Sequence, residues 1–74
     1  MARKLADRLT QSILTDRETQ VLKLIAEGLR NKEIAAALYI SEETVQGHVK
    51  KVLAKLKVND RTKAAMVAVQ RGLF

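Results

Sequence analysis

The stretch SEETVQGHVKKVLAKL, Ser41 to Leu56, decides how the rest of this chain is read. At about 100° per residue, Val45, Val49, Val52, Leu53 and Leu56 gather on one stripe of a helix, while Glu43, Gln46, Gly47, Lys50, Lys51 and Ala54 gather opposite. One face is made to pack; the other is polar, basic and free. Ser41 has the hydroxyl of an N-cap, and Glu42 and Glu43 follow at the positive end of the helix dipole, so the helix starts sharply there.

Immediately upstream, NKEIAAALYIS is a short helix-forming run with Ile34, Ala35 and Leu38 at core spacing, followed by three residues of tight connection, Tyr39 to Ser41. A short helix, a turn and a longer helix make the helix-turn-helix arrangement, whose second helix enters the major groove of duplex DNA. Asn31 reads as the cap of the shorter helix, with Lys32 in its first turn: a helix N-terminus beside a lysine suits a phosphate, although a solvated surface charge is the plainer role for Lys32.

Further upstream, Thr15 and Glu18 form a T-x-x-E capping box and Gly28 supplies a left-handed stop, which predicts a helix over about 15–27. Val21, Leu22, Ile25 and Ala26 form its buried stripe, and Glu18 projects near the centre of that stripe, where a carboxylate needs a partner. Two partners are open to it. One is the backbone N–H of Thr15, through the capping box; the other is Arg61, which opens the last helix on the face of Ala64, Ala65 and Ala68 and whose guanidinium fits a carboxylate bidentately. The expectation is a partly buried Glu18–Arg61 ion pair locking the first helix to the last.

After Leu56 the chain turns through Lys57, Val58 and Asn59; Asp60 caps a final helix over about 61–71, and Gly72 stops it. Thr62, Lys63, Met66, Val67 and Gln70 lie on the outward face of that helix. Met66 and Val67 side by side suit a neighbour's landing site, as in small symmetric dimers, or are singly tolerated apolar residues. The opening segment, 1–14, has only a weak helical period through Leu5, Leu9 and Ile13, and reads as an arm or linker, or as a first helix packed on the rest. The expected fold is therefore all-α: a compact four-helix helix-turn-helix domain over 15–74, with helices at about 15–27, 31–38, 42–56 and 61–71 and an N-terminal arm.

Composition narrows the function. Seventy-four residues make one domain, near the lower size limit, since so short a chain buries only about 60% of its unfolded surface. Fourteen Lys and Arg against eight Asp and Glu leave a formal charge of +6, which points to a polyanion. One Tyr and one Phe are too few for stacking on single strands, so a duplex is favoured. Without cysteine there are no disulfides or thiolate metal sites, and His48 is the lone histidine, which excludes a multi-imidazole metal site and a Cys–His pair. Three scattered glycines make no phosphate loop, and no apolar run approaches the ~18 residues that span a bilayer. The expectation is a cytoplasmic, cofactor-free, non-enzymatic protein.

Taken together, L-T-x-R-E at Leu14–Glu18, G-x-x-N-K-E-I-A at Gly28–Ala35, I-S-x-x-T-V at Ile40–Val45, His48, K-L-x-V at Lys55–Val58, and Arg61 resemble the DNA-binding domain of the LuxR type, also called NarL/FixJ or GerE. The resemblance covers about sixty of the seventy-four residues at fixed spacing. It implies a third helix in the major groove and a fourth that pairs two copies on an inverted or direct repeat. It also implies base contacts from Gln46, Gly47 and Lys50, and phosphate contacts from Asn31, Lys32, Thr44, His48 and Lys51. His48 has a second reading, as a hydrogen-bonded histidine on the flank of the core.

This chain departs from the family where Gln46 stands in place of a frequent Lys or Arg and Gly47 in place of a side chain. A Gln favours adenine where Lys would favour guanine, so base preference does not transfer from relatives. The opening arm resembles the linker that joins a receiver domain to this module in two-component response regulators; a freestanding regulator is the competing picture. Rival functions are a protein-interaction module that uses Met66, Val67 and the arm to meet a receiver domain or RNA polymerase, and the promoter-reading fourth region of a sigma factor.

Overall fold

The computed structural model describes residues 14–72. Four helices follow in order: α1, Asp16–Ala26; α2, Asn31–Leu38; α3, Glu42–Leu56; and α4, Arg61–Gln70. Each stands within a residue or two of the expected span, since three of the starts are written in capping side chains and two of the stops in glycines. Thr15 accepts from the Glu18 N–H and Glu18 Oε1 accepts from the Thr15 N–H, closing the box on α1. Ser41 accepts from the Thr44 N–H at 3.1 Å, and Asp60 from the Lys63 N–H at 2.8 Å. Gly28 and Gly72 adopt φ of 91° and 62°, the left-handed region a side chain disfavours.

The start of α2 differs from expectation. Asn31 is its first helical residue and Arg30 holds the cap position, with Glu33 Oε1 accepting the Arg30 N–H at 2.8 Å. Asn31 lies one residue inside the cap position, and its side-chain oxygen accepts from Arg61 instead.

Two apolar clusters form the core. One joins Leu14, Leu22, Val52, Leu56, Ala64 and Ala68; the other joins Val21, Ile25, Ile34, Ala35, Val45 and Val49, and half-buried Leu53 touches both. Helix α3 thus places Val45 and Val49 in one cluster and Val52 and Leu56 in the other, while α1 divides its Val21–Leu22 pair between them. Leu14, 2% exposed, belongs to the core and not to an arm; the rest of the segment read as an arm lies outside the described residues.

The expected Glu18–Arg61 pair is not formed. Glu18, 3% exposed, accepts from Lys55 Nζ at 2.6 Å on the same oxygen that takes the Thr15 N–H. Arg61 does point inward, but it lies beside Ile25 and Leu29, lining a groove at the other end of α1. Glu18 is seven residues from Ile25 along that helix, about 10 Å. A helical wheel gives Arg61 the right direction; it carries no information on height along the neighbouring helix.

Burial alone would push the Glu18 carboxyl up, but the Lys55 hydrogen bond, the Thr15 N–H, the Lys55 charge and the Thr15 hydroxyl together hold it below its ordinary value of 4.5. A carboxyl more acidic folded than unfolded stabilises above that ordinary value, and its contribution is lost as pH falls through the lower folded one. Lys55 is 37% exposed, so solvent screens the pair and its worth sits well below that of a fully buried bridge. Lys55→Met should cost about 1–2 kcal/mol near neutral pH and much less at an acid pH below the lowered folded value of Glu18, measured by denaturant unfolding. An equal loss at both pH values would show that Lys55 contributes packing alone.

Candidate nucleic-acid interface

Because Val45, Val49, Val52 and Leu56 are buried, the helical period turns the opposite face of α3 to solvent. Glu43, Gln46, Gly47, Lys50, Lys51 and Ala54 are all exposed, and Gln46 and Lys50 stand one turn apart on it. The exposed strip offers an amide, a bare backbone, two ammonium groups and, at its N-terminal end, the Glu43 carboxylate. Thr44 is exposed, with its hydroxyl 2.8 Å from that of Ser41, and either can donate. His48 is half-buried at the edge of the strip.

Gly47 has an ordinary helical backbone, and a Cβ built on it meets nothing within 4 Å. The fold therefore has no need of a glycine here, although a mid-helix glycine costs up to ~1 kcal/mol relative to alanine.

On α2, Lys32 is exposed and Asn31 half-buried. Arg61, thirty residues beyond Asn31, comes to it: Nη1 donates to Asn31 Oδ1 at 2.6 Å, and Nη2 donates to the Leu29 carbonyl at 3.0 Å. Together with Lys55–Glu18, this is one of two long-range polar links among the described residues that sequence spacing does not reveal.

On α4, Thr62, Lys63, Met66 and Gln70 are exposed as expected, with Met66 at 55%. Val67 is not on the free face; it packs half-buried against the first cluster, and Val69, 70% exposed, lies beside Met66 instead. Ala65, Met66, Val69 and Gln70 line a shallow hollow of about 320 Å³. A wheel centred on Ala64 and Ala68 would have found Val69, but α4 carries apolar residues nearly all round and its sequence defines no clear centre.

Residues 12–68 match the family model for bacterial regulatory proteins of the luxR family, GerE. The chain belongs to the LuxR family. It is a helix-turn-helix DNA-binding domain of the kind found in transcription regulators, and not an enzyme.

Relatives of this LuxR-family domain include the "uncharacterized transcriptional regulatory protein YhcZ" of Bacillus subtilis, 62% identical over 60 residues, which is 81% of this chain and 28% of that protein. The transcriptional regulatory protein DegU of Brevibacillus brevis is 50% identical over 60 residues, covering 81% of this chain and 25% of DegU. The response regulator protein VraR of Staphylococcus saprophyticus is 44% identical over 76 residues, covering 96% and 36%. The chain thus spans roughly a third or less of these relatives' length. No helix among the described residues is long and apolar enough to cross a membrane.

Since nothing inside the LuxR-type domain touches the Gly47 position, Gly47→Ala should raise unfolding stability by up to ~1 kcal/mol, read from denaturant melts. A loss of stability would mean that the α3 backbone at this point needs glycine for the fold.

Proposed function

We propose that this domain binds double-stranded DNA sequence-specifically by laying α3 in the major groove, and that two copies bind two half-sites through α4. The observation that carries the reading is the exposed strip of Gln46, Gly47, Lys50 and Lys51 on a helix whose other face is fixed in both core clusters. Lys50 suits a guanine, whose N7 and O6 accept, and Gln46 suits an adenine, which offers an acceptor and a donor to a bidentate amide. Gly47 brings the helix backbone close to the groove floor. Asn31, Lys32, Thr44, His48 and Lys51 bind phosphate, and the net charge of +6 supplies a sequence-independent attraction.

Met66 and Val69 are the apolar centre of the α4 contact, rimmed by Thr62, Lys63 and Gln70. A chain matching a quarter to a third of regulators, one of them named a response regulator, fits an effector part governed in the cytoplasm by a receiver domain. The second reading is a protein-interaction module, with the same Met66–Val69 patch meeting a receiver domain or RNA polymerase and DNA binding secondary.

Selection from a random duplex pool, followed by titration at two salt concentrations, separates these. Lys32→Ala and Lys51→Ala should weaken binding to every duplex and reduce the salt slope by about 0.9 per lost contact. Gln46→Ala and Lys50→Ala should instead cost about 1–3 kcal/mol on the selected site and relax preference at particular bases; uniform loss on all sequences would rule out direct readout by those side chains. Met66→Glu should leave the domain folded and convert two-copy binding on a two-site duplex to independent binding, seen by analytical ultracentrifugation with DNA. Retained cooperativity would remove α4 from the interface.

A further inference from the structure

Asn31 and Arg61 meet in a way that constrains the chemistry Asn31 shows to the outside. A guanidinium carries donors only, so the amide atom 2.6 Å from Arg61 Nη1 is the oxygen, and the Asn31 NH₂ is turned away from it. Among the described residues no hydrogen bond engages that NH₂. The second arm of Arg61, on the Leu29 carbonyl at 3.0 Å, fixes the guanidinium at another point and ties the α1–α2 connection to the start of α4. Both acceptors are neutral oxygens and Arg61 is itself half-buried, so two of its five N–H donors are engaged inside the domain.

The two ends of an amide are nearly equal in shape, and only hydrogen bonding decides which faces out. Unbraced, Asn31 would offer its oxygen as readily as its NH₂, and an oxygen repels a phosphate. We infer that Arg61 is a positioning residue for DNA-backbone binding: it holds the Asn31 amide with both N–H donors outward, toward a phosphate oxygen. The inference rests on the DNA-binding reading above and adds to it a residue on α4 that never touches DNA.

The test is a thermodynamic cycle on the 74-residue chain with one selected and one random duplex, using Arg61→Gln, Asn31→Ala and the double variant. Arg61→Gln should weaken binding to both duplexes about tenfold, the worth of one charge-assisted hydrogen bond. The same change made on top of Asn31→Ala should weaken it little further, and the salt slope should stay as in the parent because Asn31 releases no counterion. Asn31→Asp is the complementary arm. It keeps and strengthens the bond to Arg61, so the melting temperature should hold or rise, yet it offers acceptors only, and affinity should fall tenfold or more.

Three results would overturn the inference: equal effects of Arg61→Gln in the parent and in the Asn31→Ala variant, a salt slope lower by about 0.9, which would put Arg61 itself on a phosphate, or unimpaired binding by Asn31→Asp. If Arg61→Gln does not fold, Arg61→Lys takes its place in the cycle, keeping the charge and losing the two-armed fork. Absence of salt-dependent binding by the parent chain would remove the DNA reading and this inference together, whereas normal parent binding without coupling removes the inference alone.

Discussion

The constraint on which the structure turns is that α3 has one apolar stripe and commits it to both halves of the core. Val45 and Val49 close the cluster with α1 and α2, Val52 and Leu56 close the cluster with α1 and α4, and Leu53 joins the two. Each buried side chain of this size contributes about 1.5–3 kcal/mol, so rotating α3 by even a quarter turn would cost about as much as a small domain's whole stability. The polar face is therefore presented outward because its opposite cannot leave. Function here is the remainder of a packing problem that has one solution.

Charge is sorted by the same geometry. The described domain buries one carboxylate, Glu18, and gives it a lysine and a backbone N–H on a single oxygen. Arg61 is likewise absorbed, in its case by two carbonyl oxygens. The cations left on α2 and α3, Lys32, Lys50 and Lys51, are exposed, where their attraction for a polyanion is not offset by internal partners. Two of the domain's cations thus hold helices together. Their positions, near the C-terminal end of α3 and at the first residue of α4, brace α3 and the α2 start from behind.

Local stability is given up at a few exposed points. Gly47 stands in the middle of the longest described helix without an internal reason. Tyr39 and Lys57 take left-handed backbone at φ 59° and 58°, where glycine would be less strained by about 1 kcal/mol each. At Lys57 the conformation ends α3 by letting the Val58 N–H reach back to the Leu53 carbonyl, so it serves the fold. At Tyr39 it makes the turn between α2 and α3 while leaving the ring 94% exposed. The turn geometry is explained; the choice of tyrosine is not.

Periodicity and capping chemistry are local, and what is local is legible in the sequence. Thr15, Ser41 and Asp60 mark three helix starts, Gly28 and Gly72 mark two ends, and the 3.6-residue period of α3 separates its buried from its exposed residues one by one. Contacts between helices are different in kind, because a wheel gives the angle of a side chain and not its height on the neighbouring helix. That is why spacing directs Glu18 to Arg61 in place of Lys55, why Asn31 reads as a cap when its oxygen belongs to Arg61, and why Leu14 reads as part of an arm when it helps to fill the core. Val67 and Val69 exchange places for a related reason: α4 is apolar nearly all round, so only the arrival of α1 and α3 determines which side is covered. The sequence by itself determined the helices and the face of α3 that stays free; the tertiary structure alone decided which charges meet, since that depends on how far along each other the helices slide before their side chains interlock.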